Sequence, residues 1–234
     1  MTAFSSTAAA TSGAAASSPL LKGRHRPDFS QPFALSVDDE RILSARGLDQ
    51  TRQDRVEALY TAGRSAVRSG QARSFLAGLD TASLALLQNA ASLADPIDVG
   101  ALSEEGAENL LLAPTEGVDL NGDGLLQTGT ALLFSFPPVN ASPALRAAWE
   151  EATASMSEGD ILMLSMQVGG ILTPVDGGTP RARDVSDGFD WNRHMADLIS
   201  ANEAARAYNT PERTRQVEAN LRTLWDSLRR HGLA

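Results

Sequence analysis

The chain contains no cysteine, which rules out a disulfide, a thiolate zinc site and a cysteine nucleophile. Lysine is almost absent as well: 19 of the 20 basic residues are arginine, and the single lysine, Lys22, lies in a polar stretch near the start. That excludes a P-loop lysine and speaks against Schiff-base chemistry. Aromatic residues make up only 5% of the chain. No apolar run approaches the roughly 18 residues that span a bilayer. There is no nucleophile elbow, no glycine-rich dinucleotide loop after a strand, and no pair of histidines at metal-binding spacing on a helix. The three histidines are scattered as His25, His194 and His231. A non-catalytic protein is the expectation, with paired-carboxylate chemistry left open because acids are plentiful.

What the chain has instead is acid, unevenly spread. Its 234 residues carry a net charge of −9. Residues 71–130 hold nine acids against Arg73 alone, and residues 131–190 hold eight acids against three arginines. An acidic middle repels nucleic acid and anionic lipid and attracts cations, so neither a nucleic-acid nor a membrane partner is expected. A hydrophobic content of 42% and a mean hydropathy of −0.17 describe a soluble globular chain.

Within that acidic middle stands Asp119-Leu120-Asn121-Gly122-Asp123-Gly124. Oxygen-bearing side chains at alternate positions, closed by a glycine that permits a sharp bend, let the backbone curl round a hard cation. The stretch resembles the start of the EF-hand loop and of the bacterial DxNxDG calcium loops. The resemblance covers residues 119–130 only. With Asp119 at the first position of that loop, Asn121 and Asp123 fall at the third and fifth. Gly124 takes the bend, Leu125 offers its carbonyl, and Gln127 takes the ninth position, which often binds through water. The resemblance thus implies a calcium site built on Asp119, Asn121, Asp123, Leu125 and Gln127. The twelfth position, normally a bidentate glutamate, is Thr130, which implies weak affinity unless a distant carboxylate completes the shell. Pro114 also separates the preceding helix from the loop, where an EF-hand helix would run straight in. The competing reading is a plain turn, because Asn-Gly and Asp-Gly are strong turn formers.

The remaining pattern predicts a mainly α fold: an irregular helical domain, a small β element after the 119–124 loop, and a C-terminal helical hairpin. Residues 1–35 read as a disordered tail, since positions 2–18 are nearly all Ala, Ser, Thr and Gly. The tail lacks the pattern of a cleavable signal peptide, which leaves the cytoplasm or a signal-peptide-independent export route. Residues 36–190 form the expected core domain. Ser36, Asp80, Ser103 and Ser142 are its helix caps, Asp95-Pro96 is a helix stop, and Thr130–Phe136 a strand. Ile161–Val168 is apolar nearly all round and reads as a buried helix capped by Asp160, its methionines filling gaps in the core. The Gly/Pro/Asp-rich stretch 169–190 reads as a long loop. Its Asp184, Asp187 and Asp190 read as a solvated acidic surface, with a second cation site, or the source of the carboxylate that Thr130 does not supply, as the alternatives. Residues 191–234 form the hairpin, with stripes at Trp191, Met195 and Leu198 and at Val217, Leu221, Leu224 and Leu228. Packing on the chain's own core is the default for those stripes, and a protein partner or self-association through 191–234 is the alternative. His194 reads as an exposed histidine.

Overall fold

Short polar side chains decide where most of the helices begin. Ser36 opens α1 (Val37–Ala45) with a capping box, its hydroxyl accepting from Asp39 N while the Asp39 carboxylate takes Ser36 N. Asp49 caps α2 (Gln50–Arg68), which is followed by the short α3 (Ala72–Ala77). Asp80 caps α4 (Thr81–Ala91) and Ser103 caps α5 (Glu104–Leu110). The pair Ser142-Pro143 starts α6 (Pro143–Thr153), and Thr210-Pro211 starts α9 (Pro211–Arg230). Ser157 opens α7 (Glu158–Gly169) and Asp190 opens α8 (Trp191–Ala204). The computed structural model describes residues 23–174, 177–186 and 188–234. Over those residues the chain is mainly α-helical with two small antiparallel hairpins, β1 (Leu125–Thr128) with β2 (Ala131–Phe134) and β3 (Ile171–Leu172) with β4 (Arg181–Ala182). No helix among them is long and apolar enough to cross a membrane.

One helix end and one helix start, in α4 and α7, differ from the sequence reading. Helix α4 stops at Ala91, short of Asp95-Pro96, because Ser92 turns left-handed at φ 57° and Leu93 N returns to the Gln88 carbonyl at 3.0 Å. Helix α7 starts three residues earlier than an Asp160 cap would place it. The Ser157 hydroxyl accepts from Asp160 N at 3.2 Å, so Gly159 and Asp160 sit inside its first turn.

The apolar residues separate into two clusters. The first gathers Leu43, Val56, Tyr60, Leu76, Leu87 and Leu111 from α1 to α5. The second gathers Trp149, Ile161, Val168, Met195, Leu221 and Leu224 from α6 to α9. Helices α8 and α9 run antiparallel in one register. Asn202 Nδ2 donates to Thr214 O at 2.9 Å, and Trp225 Nε1 donates to Asn192 Oδ1 at 2.9 Å. Their stripes are spent inside the second cluster, against α6 and α7. Some of the exposed large apolar side chains lie on α7 and β3, at Leu162, Met163, Met166, Ile171 and Leu172; the others are Val37, Leu120, Leu132 and Tyr208. Met163 and Met166 therefore face outward and do not fill gaps in the core.

Residues 23–35 correct the expectation of an unfolded tail over 1–35; residues 1–22 lie outside the described part. His25 N donates to Thr115 O and Gly117 N to His25 O, both at 2.9 Å, as a single parallel bridge. Phe29, Phe33 and Leu35 pack on the first cluster. The Arg64 guanidinium sits 4.9 Å from the Phe29 ring centre and 4.7 Å from that of Phe33. It donates to both oxygens of Glu116, at 3.2 and 2.9 Å, and to Asp28 O at 2.7 Å. Three apolar residues and one buried ion pair thus outweigh the polar composition of this strap. His194 is a second correction. It is buried, its Nε2 donates to Val168 O at 3.0 Å, and burial pushes its pKa below the usual value.

Candidate metal centre

The 119–124 loop is held from below by two side chains one turn apart on α5. Glu105 takes Leu120 N on Oε2 at 3.1 Å and Gln127 N on Oε1 at 2.8 Å. Asn109 donates from Nδ2 to Val118 O at 2.9 Å and to Gln127 O at 2.7 Å, and its Oδ1 accepts from Val118 N at 2.8 Å. Both are buried, so each unsatisfied backbone group they meet would otherwise be costly. Burial raises the Glu105 pKa, and the backbone N–H groups it accepts from oppose that rise. Sequence reading did not single out either residue. The available signal was their i, i+4 spacing, two polar side chains beside the inward-facing Ala107, Leu110 and Leu111.

Inside the loop, Asp119 is the hub. Its Oδ1 accepts from Gly122 N at 2.7 Å and its Oδ2 from Gly124 N at 2.9 Å. That curl needs left-handed backbone at two points, and glycine supplies both, with φ 72° at Gly122 and 74° at Gly124. Asn121 Oδ1 accepts from Asp123 N at 2.8 Å, its Nδ2 donates to Asp123 Oδ2 at 3.0 Å, and Asp123 Oδ1 accepts from Leu125 N at 2.8 Å. Asn121 and Asp123 are thus bonded to each other, while Asp119 bonds the backbone of the two glycines on either side of Asp123. Leu125 and Gln127 belong to β1. Gln127 sends its N–H and carbonyl to α5 and not to β2. By the alternation of an antiparallel pair, Leu125 likewise turns its carbonyl away from β2. The Gln127 side-chain oxygen accepts from the Ser103 hydroxyl at 2.6 Å, which commits it to the start of α5. Thr130 is exposed in the Gly129-Thr130 turn between β1 and β2. The chain after the loop is thus a hairpin, with its first strand already begun at Leu125 where the sequence pattern placed a strand from Thr130.

The loop borders a groove of about 500 Å³ whose lining includes Ala141 and Val185 of the second cluster. Asp119, Asp123 and Gly124 form one wall; Arg181 to Ser186 form the other, and Asn140 closes one end. The walls are tied together: Ala182 N donates to Asp123 O at 2.8 Å, and Asn140 Nδ2 lies 3.4 Å from Asp119 Oδ2. A Cβ on Gly124 would fall 2.8 Å from the Ala182 Cβ, so a glycine is required there twice over. Of the three aspartates in the 169–190 stretch, Asp184 lines this groove and Asp190 is spent capping α8, while Asp187 lies outside the described residues.

Calcium takes six to eight oxygens. The loop offers two carboxylates, one amide oxygen and the Leu125 carbonyl. Asp119 Oδ2 already accepts from both Gly124 N and Asn140 Nδ2, while Asp119 Oδ1 and the two Asp123 oxygens accept one N–H each and keep a second lone pair. Among the described residues no three His, Cys, Asp or Glu side chains converge in a metal-holding group. The donor set fits a hard cation only in part, with water or Asp184 required for the rest. Compared with known proteins, the chain matches no family model, no curated protein and no solved structure.

Proposed function

We propose that this is a calcium-binding, mainly helical protein in which the ion at the 119–124 loop fastens the two hydrophobic clusters together. The support is the position of Asp119. Its carboxylate already gathers the loop's own N–H groups on one side and meets Asn140, which closes one end of the groove, on the other. Asp119, Asn121, Asp123 and the Leu125 carbonyl are the protein ligands, and Gln127 acts through water or not at all. The ion neutralises the acidic loop and rigidifies a seam otherwise held by a few hydrogen bonds. With so few protein oxygens the dissociation constant falls at about 10⁻⁴–10⁻³ M.

Thermal unfolding with calcium and with chelator tests this. At about ten times the dissociation constant, binding to the folded state alone stabilises by about 1.4 kcal/mol, which raises the Tm by about 3–6 °C in a chain of this size. Asp123→Ala should abolish the difference between the two conditions. A parent protein that melts alike in both, or an Asp123→Ala variant that still responds, leaves residues 119–124 as a turn and ends the proposal.

A further inference from the structure

A second cavity, of about 510 Å³, continues from the groove past Asn140 and Ser186 to the start of α6. It is lined by Arg26, Asn140, Ser142, Arg146, Val185 and Ser186 among others, and no described carboxylate lines it. That is unusual in a chain with 29 acids. Both guanidiniums are held by one edge only. Arg26 donates from Nε to Asn140 Oδ1 at 2.9 Å. Arg146 donates from one terminal nitrogen to the carbonyls of Arg24, Pro138 and Val139, at 2.8, 3.0 and 2.9 Å. Among the described residues, the terminal nitrogens of Arg26, and Nε and the other terminal nitrogen of Arg146, meet no protein acceptor. Ser142 and Pro143 bring the positive end of the α6 dipole to the same cavity.

We infer that this cavity binds an oxyanion, a phosphate or carboxylate group on a small molecule, between Arg26 and Arg146. Arg26, held through Nε, presents its two terminal nitrogens as a planar fork, the geometry that carboxylate and phosphate oxygens accept; Arg146, held through the terminal nitrogen common to both of its forks, offers Nε and its other terminal nitrogen as single donors. The Arg146 anchor uses backbone carbonyls, which orient the group; the carboxylate that acts on its charge is that of Glu150, one turn on in α6 and outside the cavity lining. The volume suits a small ligand. The neighbouring Asp119 and Asp123 disfavour an anion at the loop end, so the oxyanion sits at the Arg146 end and does not depend on calcium. A cation in the loop would strengthen it through Asn140, which touches both Arg26 and Asp119.

The test is calorimetric titration of the full chain with inorganic phosphate and, separately, with succinate, at constant ionic strength and in chelator. At least one should bind, and which one separates a phosphate ligand from a carboxylate one. Arg26→Gln, at an exposed position that leaves the core untouched, should weaken binding by about tenfold or more, the loss of a charge-assisted bidentate contact. Arg222→Gln, on the exposed face of α9, should bind as the parent does. Backbone amide shifts of the parent on titration should cluster at residues 138–146 and 184–186, which locates the bound anion even if Arg26→Gln misfolds. No binding of either anion, equal binding by Arg26→Gln, or shifts scattered over other arginines would overturn the inference.

Discussion

Glu108 should make the protein less stable at alkaline pH than at mildly acidic pH, and Glu108→Gln should remove that dependence. Its side chain lies on α5, 5% exposed, beside Glu104 and Glu105. Burial first, and then those two carboxylates, push its pKa up to about 7 from an ordinary 4.5. A folded-state pKa above the unfolded one means the folded chain holds the proton more tightly. Stability is therefore unaffected below pH 4.5, falls as pH rises from 4.5 to 7, and stays reduced above. A gap of two to three pKa units corresponds to about 3 kcal/mol at full effect. Glutamine keeps the shape and cannot ionise. Urea unfolding of parent and variant at pH 5, 6, 7 and 8.5 isolates the group, because other titrations cancel in the difference. The variant should exceed the parent by no more than about 1 kcal/mol near pH 5 and by about 2–3 kcal/mol at pH 8.5, a Tm gain there of about 4–12 °C. A difference that is flat with pH, or that grows as pH falls, would show that Glu108 ionises freely in the fold.

Other substitutions probe the loop and its supports. Gly124→Ala combines a forbidden φ with a collision against Ala182, and should cost about 1–3 kcal/mol by urea unfolding. Gly106→Ala would drive its Cβ into the Gly129 carbonyl, lifting the β1–β2 hairpin off α5; exchange of Gly129 N–H, now bonded to Gly106 O at 2.9 Å, should speed up. Asn109→Ala strands three backbone groups and should cost about 2–4 kcal/mol, with the calcium response lost as well. Arg64→Ala leaves Glu116 buried without its cation, and should cost about 3–5 kcal/mol and expose the strap before residue 36 to protease.

Helix starts were legible because a cap reads its own neighbours: Ser36, Ser103, Ser142 and Thr210 each bond an N–H three residues on. The loop's curl was legible for the same reason, since Asp119 meets Gly122 and Gly124. What holds the loop was not, because Glu105 and Asn109 find partners 9–22 residues away in another element. The strap was hidden by the small polar residues that precede it. In Ile161–Val168, apolar on every side, no pattern distinguishes the face carrying Ile161 and Leu164 inward from the one carrying Leu162 and Met166 outward. The groove draws residues from four stretches of chain, and only its fold brings them together.

The strap has a consequence for biosynthesis. Arg24 and His25 are made early, yet their acceptors and donors are Thr115, Ser135 and Arg146. The nascent chain must translate 90 residues beyond His25 to reach Thr115, and 111 and 122 beyond Arg24 to reach Ser135 and Arg146, before these bonds can close, so the earliest described segment settles late. Phe29 and Phe33 stay exposed until the first cluster is complete at Ala113, and a ribosome paused before α5 would hold out an aromatic-bearing end for a chaperone to find.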